Sequence, residues 1–401
     1  MRYKATASVL AAVAVAVALT ACGSSGGGSA AASPGEWVIG SIGSYTGPFA
    51  SSQGPTQQTI DAWADSVNAA GGIDGHPVKL INMDDDTTAA TSLADVKTLI
   101  GQDHVIAIVA DDSVLSSVWA SYVESQGVPV IGPPFDAIFA ANPDFYPSGT
   151  TLPAVQYGSM AEAKRAGDSK FSLFYCSEAA TCASSVTMVK GLAPKAGETV
   201  AYTPAISASA TSYAAQCLGA KQLGVDAIEV GEASATTLNV FESCDQQGYH
   251  PQVIGNGGTV TAAWATSPAV NGAITVQPNF PAFNTSTPAE QAFQAALKKY
   301  APGVLTSPDF GENEAETWAA GMLFEAAAKA GHLGSDPTAA DVVKGLYALH
   351  DDTLGGLAPP LTFSHGDHAV NCWFVMGVQG GKFTTPDGLT TSCEPGAAKS
   401  Q

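Results

Sequence analysis

The chain has 401 residues, of which 36 are acidic and 16 basic, for a formal net charge of −20 at pH 7. So negative a chain excludes nucleic acid as a partner, because phosphate recognition needs clustered Lys and Arg. Its length suits two domains, and a 45% hydrophobic content is enough for two cores.

Arg2 and Lys4 precede an Ala/Val-rich run, Ala5 to Ala18, which ends in Leu19-Thr20-Ala21-Cys22. A basic start, an apolar middle and small residues before a cleavage point read as a secretory leader over residues 1–21. A cysteine directly after Leu-x-Ala resembles the bacterial lipobox, in which that cysteine becomes the lipidated first residue. Residues 22–35 are mostly Gly, Ser and Ala and read as a flexible tether. The expected product is a folded body held through lipid on Cys22 at the extracytoplasmic face of a bacterial cell membrane. No later apolar run reaches the roughly 18 residues of a membrane span.

Short apolar runs then alternate with amphipathic stretches. WVIGSI (Trp37 to Ile42) reads as a strand, and Pro55 to Ala70 as a helix with Ile60, Trp63, Ala64 and Val67 on one face. Gly71 and Gly72 stop it. VKLINM (Val78 to Met83), a helix around Ser92 to Ile100, VIAIVA (Val105 to Ala110), a helix over Ser113 to Gln126, and VPVIG follow. This repetition predicts a parallel sheet with helices on both faces. The rhythm restarts at FSLFY (Phe171 to Tyr175) and runs through a helix near Ser184 to Leu192, ETVAY, and a helix around Ser212 to Leu223. AIEVG, a helix over Ala235 to Gln247, and QVIG (Gln252 to Gly255) complete the second set. Long helices over Pro288 to Tyr300 and Glu312 to Ala330 and a β-rich tail from Leu361 to Phe383 suggest that the chain revisits both halves.

Setting Cys22 aside leaves six cysteines, and an exported address allows them to pair. Six leave many connectivities open; spacing favours Cys176–Cys182, Cys217–Cys244 and Cys372–Cys393. No metal site is expected, since CxxC pairs and nearby His clusters are absent. Asp84-Asp85-Asp86-Thr87 lacks the spaced ligands of a calcium loop and reads as a strand end with a helix N-cap. His365-Gly366-Asp367-His368 reads as a turn before the strand-like CWFVMG. The turn GSYTGPFASSQG (Gly43 to Gly54) has neither the glycine spacing nor the lysine of a phosphate cradle. No nucleophile elbow, HExxH helix or Cys–His pair argues for an enzyme, and no cofactor is implied. Trp63, Trp119, Trp264 and Trp318 read as core, with Trp264 and Trp318 able to edge a cleft.

SIGSYTGPFA, then NAAGGIDGHPVKLINMDDDTTAATSLADVKTLI, then VPVIGPP resemble the type I periplasmic binding proteins, in particular the branched-chain amino-acid group that serves ABC importers. The likeness runs in order from about Glu36 to Phe383. It implies an α/β fold of two Rossmann-like lobes with parallel sheets, three interlobe crossovers, and closure on a small ligand like a Venus flytrap. Lobe one would comprise 36–150 and 277–353, and lobe two 151–276 and 354–401, with all six paired cysteines in lobe two.

Position by position, the resemblance implies a ligand site at Ser113, with Asp112 beside it, and at Pro134, Phe135 and Asp136, where Asp136 replaces a threonine. Ser52 or Gln53 would come from the opening turn. The family's ammonium-binding glutamate falls at Gly257, so that carboxylate is missing, and its aromatic lids fall near Ala180 and Ala233. Asp136, Glu178 or Glu232 would supply negative charge instead. The expected function is capture of a small polar ligand (an amino acid, amide or related small organic acid) for ABC permease and ATPase subunits. Sensing through a separate membrane partner, or import of aromatic acids, are the alternatives.

Overall fold

The computed structural model describes residues 35–397 except Ala179 and Asp367. The expected leader, the lipidated Cys22 and nearly all of the tether lie outside these residues, as do the side chains of Ala180 and Thr181.

The first lobe opens with β1 (Trp37–Gly43), α1 (Ala50–Gln53), α2 (Thr56–Ala69), β2 (Val78–Asp84) and α3 (Ala89–Gly101). It continues with β3 (Ile108–Asp112), α4 (Ser116–Gln126), β4 (Val130–Gly132), α5 (Ile138–Ala141) and β5 (Phe145–Pro147). These strands form a parallel sheet in the order β2-β1-β3-β4-β5, with Trp37 opposite Val78 and Ile108 opposite Val130. Helices cover both faces, and β1 is accordingly apolar almost throughout while all five residues of β3 are buried, Asp111 and Asp112 included.

The second lobe contains α6 (Leu152–Ala166), β6 (Lys170–Cys176), α7 (Ala180–Ala196), β7 (Thr199–Tyr202), β8 (Ala205–Ile206) and α8 (Ala214–Gln222). β9 (Ala227–Gly231), α9 (Ser234–Gln246), β10 (Gln252–Asn256) and β11 (Ile274–Gln277) follow. The chain returns to the first lobe as α10 (Pro288–Tyr300), α11 (Pro302–Thr306), α12 (Glu312–Ala330) and α13 (Ala339–Tyr347). It then re-enters the second as β12 (Cys372–Gln379), β13 (Lys382–Thr384) and β14 (Ser392–Cys393). The second sheet runs β13-β12-β11-β10-β9-β6-β7. The strands from β6 to β11 pair in parallel, and the β-rich tail adds β12 antiparallel to β11, with Val276 opposite Val375. A tight Gly380-Gly381 turn joins β12 to β13, and so short a link permits only an antiparallel pair.

Three connections cross between the lobes and are tied to one another. The Thr150 amide donates to the Pro278 carbonyl at 3.1 Å, and the Thr151 amide donates to Val370 at 3.1 Å. Asn279 Nδ2 donates to the Ser148 carbonyl at 2.8 Å and the Phe280 amide to Leu357 at 3.0 Å.

Sequence signals explain most elements. The predicted face of α2 is buried beside Phe324 and Leu297, and Gly321 of α12 lets the two helices touch, since a Cβ there would meet the Trp63 ring at 2.5 Å. Thr287 and Glu290 form a capping box at α10, with the Glu290 amide donating to Thr287 Oγ1 at 3.2 Å. Two boundaries shift: the third strand starts at Ile108 and carries Asp111 and Asp112, and α4 starts at Ser116, so Ser113 sits in the intervening loop. The expected N-cap role of the acidic run is also corrected. Asp84 accepts the Thr46 hydroxyl at 2.8 Å and Asp85 accepts the Thr87 amide at 2.9 Å, whereas Thr88 caps α3 without a side-chain bond. His365 and Gly366 lie in a turn, and His368 is buried on Tyr146, with ring centroids 4.5 Å apart.

Disulfides join Cys176 to Cys182, Cys217 to Cys244, and Cys372 to Cys393. The first links β6 to α7, the second α8 to α9 and the third β12 to β14, all around the second sheet.

Candidate functional site

A cavity of about 150 Å³ lies between the two sheets. Its walls come from the carboxyl ends of parallel strands in both lobes: Pro134 and Phe135 beyond β4, Glu232 beyond β9, and Asn256 to Thr259 at the end of β10. The second turns of α6 and α12 add Gln156 and Glu316. Ligands in open α/β sheets bind at such strand ends, where loops from several strands converge.

Of the ten residues expected at the site, six lie on this wall: Gln53, Pro134, Phe135, Asp136, Glu232 and Gly257. Ser52, Asp112, Ser113 and Glu178 do not. Ser52 Oγ accepts the backbone amide of Ser234 at 2.8 Å, and its carbonyl accepts Asn313 Nδ2 at 2.8 Å. Ser113 is fully buried and donates its hydroxyl to Asp85, so a bulky residue there would disturb the core rather than fill the cleft. Asp112 accepts the Thr317 hydroxyl at 2.8 Å, and burial pushes its carboxyl up to about 7. Glu178 accepts from Ser207 Oγ at 2.8 Å and the Ala208 amide at 2.9 Å. Burial alone would raise its carboxyl, but these bonds outweigh burial and hold it below its ordinary value. Asp136 spends its oxygens on the amides of Ile138 and Ser117 at 3.1 and 3.3 Å.

A carboxyl from α12 stands beside position 257. Glu316 is 1% exposed, and neither of its oxygens has a hydrogen-bond partner among the described residues. Its Oε1 sits 2.0 Å from where a Cβ on Gly257 would stand, so glycine is what makes room for it. Burial pushes Glu316 well above the usual carboxylate range, and the charges of Glu312, Asp112 and Glu314 push the same way. Glu312 and Glu314 are committed to the amides of Ala282 (3.0 Å for Glu312) and Gly311; Glu316 alone of the three faces the cavity. The sequence signal was three glutamates within five residues of a helix that turns apolar at Trp318.

Glu232 is the second carboxyl on the wall. Its Oε2 accepts the Ala233 amide at 2.6 Å, and Oε1 has no partner among the described residues. Burial raises it to about 8, against the Ala233 bond and with help from neighbouring Glu178. Beneath the cavity floor Glu229, fully buried on β9, accepts Gln156 Nε2 and Asn256 Nδ2, each at 2.8 Å. Phe49, Phe135 and Tyr175 form the apolar side. Ala233, where the resemblance implied an aromatic lid, is packed with Phe49 and Cys176, so a ring from the opposite lobe fills that place. Trp264 and Trp318 are core residues away from the wall. Among the described residues no three His, Cys, Asp or Glu side chains are arranged to hold a metal ion.

The model of the periplasmic binding protein family matches residues 36–382, and the chain belongs to that family. An amino acid binding protein of Pseudomonas aeruginosa is 35% identical over 97 residues, which span 24% of this chain and 26% of that relative's length. A branched-chain amino acid ABC transporter protein of Thermus thermophilus with bound valine superposes with a TM-score of 0.76 at 14% identity, covering 88% of this chain and 96% of its own. A solute binding protein of an R. palustris ABC transporter in complex with benzoate gives 0.71 at 18%, covering 88% and 95%. At such identities these structures establish the fold, and the bound molecules remain properties of those proteins.

Proposed function

We propose that the chain is the extracytoplasmic, lipid-anchored binding component of an ABC importer, capturing a small polar molecule in the interlobe cavity and making or breaking no bond. The observation that carries this reading is the unpartnered carboxyl of Glu316 at a cavity walled by both lobes. Buried polar groups are normally satisfied, and a ligand with N–H or O–H groups would satisfy this one. A ligand touching both lobes favours the closed form, and a permease can distinguish that form from the open one.

A size of about 150 Å³ suits an amino acid or a benzene-sized compound rather than a long chain. Among the described lining residues there is no Lys, Arg or His, which counts against the aromatic acids that a benzoate-bound relative brings to mind. A thermal-shift screen over amino acids, amides, aromatic acids and polyols tests the reading. A donor-bearing compound is expected to raise the melting temperature in proportion to the logarithm of its concentration. Stabilisation confined to carboxylates without nitrogen would count against it.

A further inference from the structure

We infer that the cavity selects a small nitrogen cation carrying two or more N–H groups, such as an amidinium or guanidinium, over an organic carboxylate; the inference rests on the reading of this cavity as the ligand site.

Unpartnered oxygens stand on the polar wall, which the hydroxyl residues Ser184, Ser185 and Thr259 also line. Gln53 Oε1, Gln156 Oε1, Glu232 Oε1 and both oxygens of Glu316 are buried without partners among the described residues. Glu229 fixes part of this pattern. Its single Oε1 takes the amide nitrogens of both Gln156 and Asn256, so their donor ends turn away into the floor. Gln156 is left with its oxygen unclaimed. Glu229 touches no ligand in this arrangement; it is a positioning residue.

Charge points the same way. The titratable groups facing Glu316 are Glu312 and Glu314 on its own helix and Asp112 on β3, all acidic. Those around Glu232 are Glu178, also a carboxyl, and Tyr213. With no Lys, Arg or His among the described lining residues, an ionised Glu316 needs a countercharge from the ligand, because an isolated buried carboxylate is costly. An anionic ligand would meet the carboxyls of Glu232 and Glu316 and the carboxamide oxygens, with hydroxyl residues but no cationic side chain among the described lining residues to offset them. The apolar side, Phe49, Phe135 and Tyr175, accommodates a ring or a short hydrocarbon body.

Three near-isosteric probes separate the possibilities: benzamidine (cation), benzamide (neutral) and benzoate (anion), titrated calorimetrically into the purified chain. Benzamidine is expected to bind at least about tenfold more tightly than benzamide, as suits a charge-assisted pair, and benzoate to give no measurable binding. Glu316→Gln should bring benzamidine to within about threefold of benzamide. Glu229→Gln should weaken benzamidine more than benzamide, because a donor at 229 turns the Gln156 oxygen inward; an equal loss for both probes would reduce Glu229 to a structural role and remove that part of the inference. Benzoate binding as tightly as benzamidine overturns the inference, as does an unchanged benzamidine affinity in Glu316→Gln, or no binding by any of the three. Gly258→Phe distinguishes the wider reading. A Cβ at 258 meets nothing closer than 3.5 Å, so the ring can enter the cavity. If compounds bind equally well to this variant, the cavity itself is misassigned; if they are lost while the order of probes is wrong, only the ligand class is.

Discussion

Glu316 Oε1 occupies the space that a side chain on Gly257 would need, 2.0 Å from the position of its Cβ. Two segments far apart in sequence thus build one corner of the cavity. Gly257→Ala should displace the carboxyl or the Pro278 ring, whose Cδ would lie 2.6 Å away. We expect a loss of about 1–3 kcal/mol in chemical denaturation, recovered in part when Glu316→Ala is added. No recovery in the double variant would mean that Glu316 is not the group that clashes.

Glu316→Leu should stabilise the empty protein, because a buried carboxyl without a partner is unfavourable whether protonated or ionised, and abolish binding. Enhanced stability together with lost function marks a group kept for its ligand. A variant that melts lower and still binds would show the opposite.

The empty protein should lose stability as pH rises. Glu232 is raised to about 8 and Asp112 to about 7, and Glu312, Glu314 and Glu316 are all raised. Between the ordinary carboxyl value and these raised values the folded state holds protons that the unfolded chain has released. Stability from these groups is therefore full at low pH and lost as pH climbs through the folded values. Melting curves should show a fall of about 5 °C or more from pH 5 to pH 8. A cationic ligand favours the ionised Glu232, so its affinity should rise with pH over the upper part of the same range; a flat profile would exclude Glu232 from the contact.

Ser52 joins the lobes through the amide of Ser234, at the first turn of α9. Ser52→Ala removes that acceptor, a loss of about 1 kcal/mol or fivefold in ligand affinity, and should enlarge the radius of gyration in solution scattering as open forms gain population. Unchanged scattering and affinity would show that this bond does not hold the lobes together.

Replacing Cys217 and Cys244 by Ala should cost up to about 3.5 kcal/mol from loop-closure entropy alone, since the bridge closes 27 residues. The loss should register in the second lobe, and hydrogen exchange resolved by segment would place it near α8 and α9.

Much of this architecture was legible in the order of residues, and the exceptions have physical causes. The alternating runs from Trp37 to Gly132 read correctly because each helix shows one apolar stripe and each strand is covered on both faces. Helix α6 went unread because it is buried nearly all round and mixes Gln156, Ser159 and Glu162 with its apolar residues, which blurs the period. Strands β5 and β11, of three and four residues, are too short for a pattern. Helix α13 did carry a signal, the Thr338–Asp341 capping box. At the site, positional likeness led to Gln53, Phe135 and Gly257. Ser113 and Asp112 lie off the cavity wall, bonded to Asp85 and Thr317 from distant segments, a packing that residue order does not display. Three closely spaced glutamates marked the start of α12, but only the packing of that helix against Gly257 brings Glu316 to the cavity.

Thermal-shift titration of wild type and Gly258→Phe with the strongest nitrogen-bearing compound from the screen tests interlobe capture most directly. Wild type should be stabilised with saturation at a defined affinity, and the filled variant, folded at a similar melting temperature, should show no shift. Equal stabilisation of both proteins would contradict ligand capture in this cavity.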